Sequence, residues 1–328
     1  MMKEEILKRR KKYSLKEIRM KVGENNFQIM SILSGLLIMM LIFSLNSKYF
    51  FTSNNLLTIA LQTSMIAIIA LGQTFVLITA GIDLSIGSNM AIAGVISAMA
   101  LKSGMPIGIA IILGLLAGVL VGLINGSLIA YGDLPPFVVT LGTMSIVKGV
   151  ALFITGGIPV TRLSKSFNVI GNNKIAGIPI PVIITIVLTL LFGFILSKTK
   201  LGTRIFAVGS NLEAAKYSGI NTKRTIIIVY VFSGLLAAVA GIIMASRIAS
   251  GQPTAGTGYE LYAVAASVIG GVSLAGGEGL LTGTLIGALI IGVLRNGLNL
   301  LSVSAFIQEI MIGSVIIIAV FADRIKRK

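Results

Sequence analysis

Apolar segments separated by short polar breaks run along almost the whole chain. Ten of them come close to the roughly 20 residues that a helix needs to cross the hydrocarbon core of a bilayer, at residues 27–45, 56–80, 86–101, 107–131, 136–155, 178–197, 225–246, 260–275, 280–300 and 304–322. Segments 86–101 and 260–275 are short, so we expect tilted, broken or partly re-entrant helices there. The pattern predicts an all-α polytopic membrane protein with about ten transmembrane helices.

Basic residues are concentrated at the two ends of the chain and in one central loop. Nine of the 27 Lys and Arg residues fall within the first 21 positions, and four lie in the last five. Because the cytoplasmic flanks of membrane spans are enriched in Lys and Arg, this predicts cytoplasmic N- and C-termini, and ten spans then place the polar loop 198–224 on the same side. We expect a basic arm at 1–26, a transmembrane domain at 27–323 and a basic tail at 324–328.

Composition removes most enzyme and soluble-protein alternatives. Of 328 residues, 55% are hydrophobic and 12% are charged, whereas an ordinary soluble domain has about 25% charged residues. Cys and His are both absent, which excludes disulfides, Cys or His metal ligands, a Cys nucleophile and a His base. We therefore expect no catalytic residue, no metal and no cofactor, and we assign the net charge of +16 to membrane flanks rather than to nucleic-acid binding.

The central polar loop contains the signals of one short helix. We expect Ser210 and Glu213 to form a capping box at its start, and Gly219 to end it in the left-handed conformation. Ala214 and Ala215 are small enough to let a partner surface approach the helix. The alternative is a surface helix that only connects two spans.

Acidic side chains are rare in the spans. Asp83 approaches the interior of one, whereas we expect Glu260 and Glu309 near outer ends. We favour Asp83 or Ser85 as a cap of the following helix at the cytoplasmic boundary over a direct role of Asp83 in substrate binding. Since no chain of carboxylates crosses the spans, a proton-driven carrier is disfavoured.

Four neutral polar side chains lie within or at the ends of spans and, with Asp83, are candidates for a translocation path: Gln73, Thr79, Asn125 and Asn296. Hydrogen bonding between helices is the favoured alternative for each, because polar residues commonly join helices in lipid. Glycines at every fourth position of 114–126, and Gly283 with Gly287, predict close helix packing inside the bundle or at a dimer interface. Residues 80–87 also resemble 270–277, which suggests two halves of like orientation.

Several longer strings, in the same order along the chain, resemble one family. They are GQTFVLITAGIDLSIGS (72–88), GLINGSLIAYGDLPPFVVTLGTMSI (122–146), SNLEAAKYSGINTKR (210–224), SGQPTAGTGYELYAVAASVIGGVSLAGG (250–277) and GTLIGALIIGVLRNGLNLL (283–301). These strings are similar to the ribose-type branch of the monosaccharide ABC importer permeases. The string EAAKYSG (213–219) also resembles the EAA-x3-G signature of the loop that docks on the ATPase, although the Leu-Pro that often follows is missing.

The resemblance implies a bacterial plasma-membrane subunit that performs no chemistry of its own. Family members pair as two permease subunits, here a homodimer surrounded by membrane lipids, work with a cytoplasmic ATPase that binds the ATP, and receive sugar from an extracytoplasmic binding protein. The resemblance also implies that a helix at 211–218 couples to the ATPase through Ser210, Glu213, Ala214, Ala215 and Gly219. The loops 156–177 and 247–259 would meet the binding protein, and ribose is the expected sugar, with other pentoses and hexoses open.

Other functional classes stay open on the sequence alone. An ion-coupled secondary sugar transporter would follow an ion gradient instead of ATP, but membrane-embedded acidic pairs are lacking. An intramembrane enzyme would need a clustered nucleophile and base. A membrane scaffold that transports nothing is compatible with the composition.

Overall fold

The computed structural model describes residues 24–326, and within them the chain is almost entirely helical. In chain order its elements are α1 (Glu24–Asn46), α2 (Ser53–Ile78), α3 (Ile86–Lys102), α4 (Ile107–Gly132), α5 (Pro136–Thr155), β1 (Val160–Thr161), α6 (Lys165–Asn172), β2 (Lys174–Ile175), β3 (Ile178–Pro179), α7 (Ile180–Lys198), α8 (Lys200–Ser210), α9 (Leu212–Tyr217), α10 (Thr222–Arg247), β4 (Ser250–Gly251), α11 (Tyr259–Ile269), α12 (Leu281–Leu300) and α13 (Ala305–Lys326). Most of the predicted basic arm, and the last two positions of the predicted tail, lie outside the described residues.

Each predicted span corresponds to one of the helices α1–α5, α7 and α10–α13. Seven of these are long and apolar enough to cross a bilayer, whereas α3, α11 and the apolar part of α13 are shorter. A polytopic helical membrane protein is thereby confirmed, while the number of ten crossings stays a prediction. The segment expected at 260–275 ends early, at Ile269, because the glycine-rich turn that follows places Gly271 at a φ of +87°.

Helices α2 and α10 form the centre of the bundle. Every residue of α2 from Thr63 to Ile78 is buried, and α10 packs against α2, α3 and α4. Helices α5 and α7 instead expose large apolar side chains on their outer faces, such as Phe153 and Leu190. Such faces are suited to lipid, because hydrocarbon accepts apolar side chains without cost.

The predicted glycine face of α4 packs inside the bundle. Gly118 lies against Gly234 of α10, and Gly122 lies against the backbone of Tyr230 in the same helix, so that neither glycine has room for a Cβ atom. Close approach of two backbones gains dispersion contacts between helices in lipid. The internal-packing interpretation is confirmed, and this face is not available to a second copy of the chain.

Two short pairs of strands add to the helices, so the fold departs in this detail from the all-α prediction. Strand β1 pairs antiparallel with β4, and β2 pairs antiparallel with β3. The first pair joins the loops 156–177 and 247–259, which are far apart in the chain. Neither pair was predictable from local sequence, because each strand has only two residues.

Helix α3 begins inside the bundle, where it meets the segment that leads into α11. The backbones of Gly87 and Gly256 pack so closely there that neither position has space for a Cβ atom. Glu260, in the first turn of α11, also lies against Gly87, about 22 Å along α3 from its last residue, Lys102. Glu260 is therefore not near an outer end as expected, because the glycines and Pro253 let the chain turn from β4 into the bundle.

Candidate functional site

The central polar loop forms two consecutive helices, α8 and α9. At the start of α8, the side chain of Thr199 accepts a hydrogen bond from the N–H of Gly202. At the start of α9, Asn211 Oδ1 accepts one from the N–H of Ala214 at 2.9 Å. One residue, Asn211, therefore separates the two helices and caps the second.

Ser210 does not cap α9, so the predicted capping box is wrong. Ser210 is the last residue of α8, and its hydroxyl donates to the carbonyl oxygen of Phe206 at 2.9 Å. Glu213 is exposed in the first turn of α9, without the predicted bond back to Ser210. Asn is as strong a helix cap as Ser, and Asn211 follows directly, so the helix begins one residue later than predicted.

Gly219 ends α9 as predicted. Its φ is +78°, its N–H donates to the carbonyl oxygen of Lys216, and the next N–H, from Ile220, donates to that of Ala215. These two bonds form a Schellman motif, which satisfies the last carbonyl groups of the helix. A residue with a side chain would be strained at this φ.

The six residues of α9 present most of their surface outward. Ala215 is buried against the bundle, whereas Glu213 and Ala214 are exposed. Tyr217 is 87% exposed and Leu212 is 46% exposed. An exposed aromatic and an exposed leucine on one short, well-capped helix form a surface that a partner protein can cover.

The end of α8 lies directly against the end of α2 and a glycine turn. Gly209 packs on the carbonyl oxygen of Ile78 without room for a Cβ atom, and the same oxygen accepts a hydrogen bond from the N–H of Gly277 at 2.8 Å. Gly276 packs on Ala80, so the two segments that resemble each other, 80–87 and 270–277, meet here. We call this contact of α8, α2 and the glycine turn the glycine junction.

Asp83 is the centre of a buried polar cluster rather than a boundary cap. Its Oδ1 accepts from the hydroxyl and the N–H of Ser85, at 2.6 and 2.9 Å. Its Oδ2 accepts from the hydroxyl of Ser233 at 2.7 Å, and Asn125 Nδ2 donates to the hydroxyl of Ser85 at 2.8 Å. Ser233 is the twelfth residue of α10, about 16 Å from the start of that helix.

The prediction for Asp83 and Ser85 is therefore wrong in two respects. The cluster lies deep along α10 instead of at the boundary, and Ser85 makes no side-chain bond to a helical N–H of α3. The segment 79–85 turns back into the bundle after α2, as Gly81 and a left-handed Ala80 permit. Asp83 is 1% exposed, so it does not face an open path in this conformation.

The other polar candidates differ in their surroundings. Asn296 exchanges two hydrogen bonds with Asn55, at 2.9 and 3.0 Å, so it joins α12 to α2. Thr79 donates to the carbonyl oxygen of Val76 in its own chain segment. Gln73 is fully buried, and neither atom of its amide has a partner among the described residues. Hydrogen bonding between helices was the favoured role for all four neutral polar candidates. The structure shows a hydrogen bond to another element for two of them, Asn125 and Asn296.

The glycine junction was not predictable from the local sequence. The loop motif 213–219 predicts only where a partner would dock, and the contact of Gly209 with Ile78 joins residues that are far apart in the chain. A glycine just before the end of α8 is a weak signal by itself, because 38 glycines occur in the sequence.

Comparison with known proteins places these features in a wider context. A family described as "Branched-chain amino acid transport system / permease component" matches residues 55–320. The ribose import permease protein RbsC of Bacillus subtilis is 46% identical over 294 residues, 89% of this chain and 91% of the relative. The D-allose transport system permease protein AlsC and the L-arabinose transport system permease protein AraH of Escherichia coli are each 40% identical, over 87% and 85% of this chain and 88% and 85% of the relatives. No solved structure matches the chain.

Proposed function

Because the chain belongs to the permease family that matches residues 55–320, we propose that it is the membrane-spanning subunit of an ATP-driven importer for a monosaccharide, with ribose as the cargo. It lies in the plasma membrane as a multi-pass protein. ATP is bound and hydrolysed by a partner ATPase, and the chain itself supplies the path and the coupling.

One observation carries the choice of a sugar over an amino acid. The family description names branched-chain amino acids, but the three relatives described above are sugar permeases, and identity to the ribose permease extends over nine tenths of both chains. A polyol needs hydrogen-bonding groups but no pair of opposite charges, whereas an amino acid brings a carboxylate and an ammonium that a low-dielectric path must neutralise. The preference for ribose over allose and arabinose rests on identities of 46% against 40%.

The coupling role is assigned to α9 and to the glycine junction behind it. The exposed Leu212, Glu213 and Tyr217 would contact the ATPase, and Ala214 leaves room for its approach. When the ATPase closes, α9 moves with α8, and the backbone contact of Gly209 with Ile78 passes that displacement to α2. The well-formed ends of α9, at Asn211 and Gly219, keep the helix rigid enough to transmit a push.

The remaining assignments follow from the same proposal. Ten spans would place α8, α9 and both ends of the chain on the cytoplasmic side, as the distribution of basic residues favours. The paired strands β1 and β4 would then lie on the outer side, where they present one joined surface to a sugar-binding protein. A second copy of the chain would complete the path, which in this conformation is not lined by Asp83.

The assembled complex provides the decisive experiment. The chain, its ATPase and a binding protein from the same source are reconstituted in proteoliposomes, and ATP hydrolysis and ribose uptake are measured together. We expect ribose-loaded binding protein to stimulate hydrolysis, and uptake to require ATP. A chain that purifies without an ATPase, and that admits ribose along an ion gradient, would instead be a secondary transporter.

A further inference from the structure

A polar cavity of about 190 Å³ lies between α2, α10, α11 and α12. It is on the side of the bundle opposite to α9, because Arg247 ends the helix that begins just after α9, and Asn299 lies near the end of α12. Its lining consists of Gln62, Met65, Arg247, Tyr259, Arg295 and Asn299. All but Met65 carry hydrogen-bonding side chains, which is unusual within a bundle of apolar helices.

The polar groups of this cavity are mostly unused within the protomer. In the part of the chain that the structure describes, no hydrogen bond or ion pair engages the side chains of Gln62, Arg247 or Tyr259. Asn299 accepts a bond from Gln308 Nε2 at 2.8 Å through its carbonyl oxygen, and its amide N–H groups are left over. Gln62, Arg247 and Tyr259 are half-buried, and half-buried polar groups without partners favour a ligand that satisfies them.

Arg295 is held in place by stacking on an aromatic ring, which leaves its hydrogen-bond donors without partners within residues 24–326. Its guanidinium lies 4.7 Å from the centre of the Tyr262 ring, and the Tyr262 hydroxyl donates to Glu309 Oε1 at 2.7 Å. Stacking on a ring fixes the plane of a guanidinium and leaves the N–H groups at its edge free for a ligand. The ring of Tyr259 packs edge-on against Tyr262, with the centroids 5.6 Å apart, which steadies the same wall.

The mixture of donors and acceptors identifies the class of ligand. Two guanidinium groups and two amides donate, whereas the oxygen of Gln62 and the hydroxyl of Tyr259 also accept. An inorganic anion would use the donors alone, and a metal cation would be repelled by two arginines. Each hydroxyl of a sugar both donates and accepts, so a polyol can use the whole set.

We propose that this cavity is a sugar-binding site of the permease, which takes one monosaccharide through its hydroxyl groups on the side opposite to α9. The volume suits a single small ring, since it is below the roughly 300–1,000 Å³ of pockets for larger ligands. The site rests on the proposed function, because it would receive sugar released by the binding protein. It adds residues that the sequence analysis did not select as path candidates.

The lack of cysteine in the chain makes a direct test possible. The variant Gln62→Cys carries a single thiol in the cavity, and Ser103→Cys carries one at an exposed position just after α3, outside the cavity. Each full chain is assembled with its ATPase in nanodiscs, and the rate of maleimide labelling on this chain is measured with and without ribose. Ribose at twice its dissociation constant should slow labelling of Gln62→Cys about threefold and leave Ser103→Cys unchanged.

A second substitution tests whether protection of the thiol is due to ribose bound in the cavity and not to a general effect of the sugar on labelling. In the Gln62→Cys background, Arg247→Gln should weaken the protection by ribose, because a charged donor to the hydroxyls is lost. Protection by none of ribose, allose and arabinose would overturn the proposal, as would protection by inorganic sulfate alone. If allose or arabinose protected the thiol and proteoliposomes with the wild-type chain took up no ribose, the cavity would still be a sugar-binding site. The assignment of ribose as the cargo would then be contradicted.

Discussion

The backbone of Gly209 lies against the carbonyl oxygen of Ile78, which also accepts a 2.8 Å hydrogen bond from the N–H of Gly277. One carbonyl group thus joins α8, α2 and the turn that leads to α12. Gly209 is two residues before Asn211, the cap of α9. Under the proposed coupling, a displacement of α9 would reach the most buried helix of the bundle through this backbone contact, without flexible side chains in between.

Substitution of Gly209 by Ala should impair coupling. A Cβ atom has no space there, and an extra methyl group in a packed interior typically costs about 1–3 kcal/mol of unfolding free energy through displaced backbone. We expect Gly209→Ala to separate α8 from α2, so that ribose uptake per ATP hydrolysed falls. Uptake and hydrolysis in proteoliposomes, with the melting temperature in detergent, measure both effects.

The matched control for this variant is Gly193→Ala in α7. No atom lies within 4 Å of a Cβ at position 193, and Ala is favoured over Gly in a helix by up to about 1 kcal/mol. Gly193→Ala should keep wild-type coupling and should be at least as stable as the wild type. Equal coupling in the Gly209 and Gly193 variants would show that the glycine junction transmits nothing.

Substitution of Gly219 should act through the end of α9. At a φ of +78° a side chain costs about 1–2 kcal/mol, so Gly219→Ala should loosen the helix end and weaken association with the ATPase. Gly219→Asn should lose less, because Asn adopts the left-handed conformation more readily. The fraction of ATPase that co-elutes with each variant in mild detergent ranks the two variants. If the Ala variant retained more ATPase than the Asn variant, strain at a positive φ would not be the cause of the loss.

Substitution of Glu213 should affect function without affecting the fold. Its side chain is exposed, and surface changes of this kind usually alter stability by no more than about 0.5 kcal/mol. We expect Glu213→Ala to fold and insert as the wild type does while stimulated ATP hydrolysis and ribose uptake decline. If Glu213→Ala and Gly219→Ala both took up ribose at the wild-type rate, α9 would not be the coupling helix.

The helices were predictable because their signal is local. Runs of apolar residues of spanning length, such as those of α2 and α10, mark a membrane helix wherever the rest of the chain lies. The left-handed turn at Gly219 was predictable for the same reason, since a glycine after a short helical pattern is a common end. Helix α8 was not predictable in the same way, because its 11 residues mix Lys200 and Arg204 with apolar positions and lack a run of spanning length.

The depth of individual residues was not predictable, since it depends on contacts distant in the chain. Glu260 was placed near an outer end, yet it lies against Gly87 because the segment after β4 enters the bundle. Asp83 was placed at a boundary, yet it bonds Ser233 well along α10. In both cases the sequence indicates a break in a helix, but the direction of the chain after the break is decided by glycine contacts with other helices.

Substitution of Ser233 should destabilise the protein through Asp83. Ser233→Ala removes the 2.7 Å hydrogen bond to Asp83 Oδ2 and leaves a buried carboxylate oxygen without it, which costs about 1–3 kcal/mol. Thermal unfolding in detergent should show a lower transition temperature for Ser233→Ala and for Asp83→Ala. The double variant should lose less than the sum, since the two residues share one interaction; additive losses would mean that the hydrogen bond contributes nothing.

Strand pairing between β1 and β4 predicts a specific cross-link. Thr161 and Ser250 are directly opposite each other in this antiparallel pair, where Cα atoms are about 4.5–5.5 Å apart, within the range that a disulfide spans. In this cysteine-free chain, Thr161→Cys combined with Ser250→Cys should therefore oxidise readily, as a shift in gel mobility would report. Val160→Cys with Ser250→Cys should oxidise poorly, because neighbouring residues of a strand point to opposite faces. Similar oxidation of both pairs would mean that the loops 156–177 and 247–259 are not held in this register and do not form one joined surface.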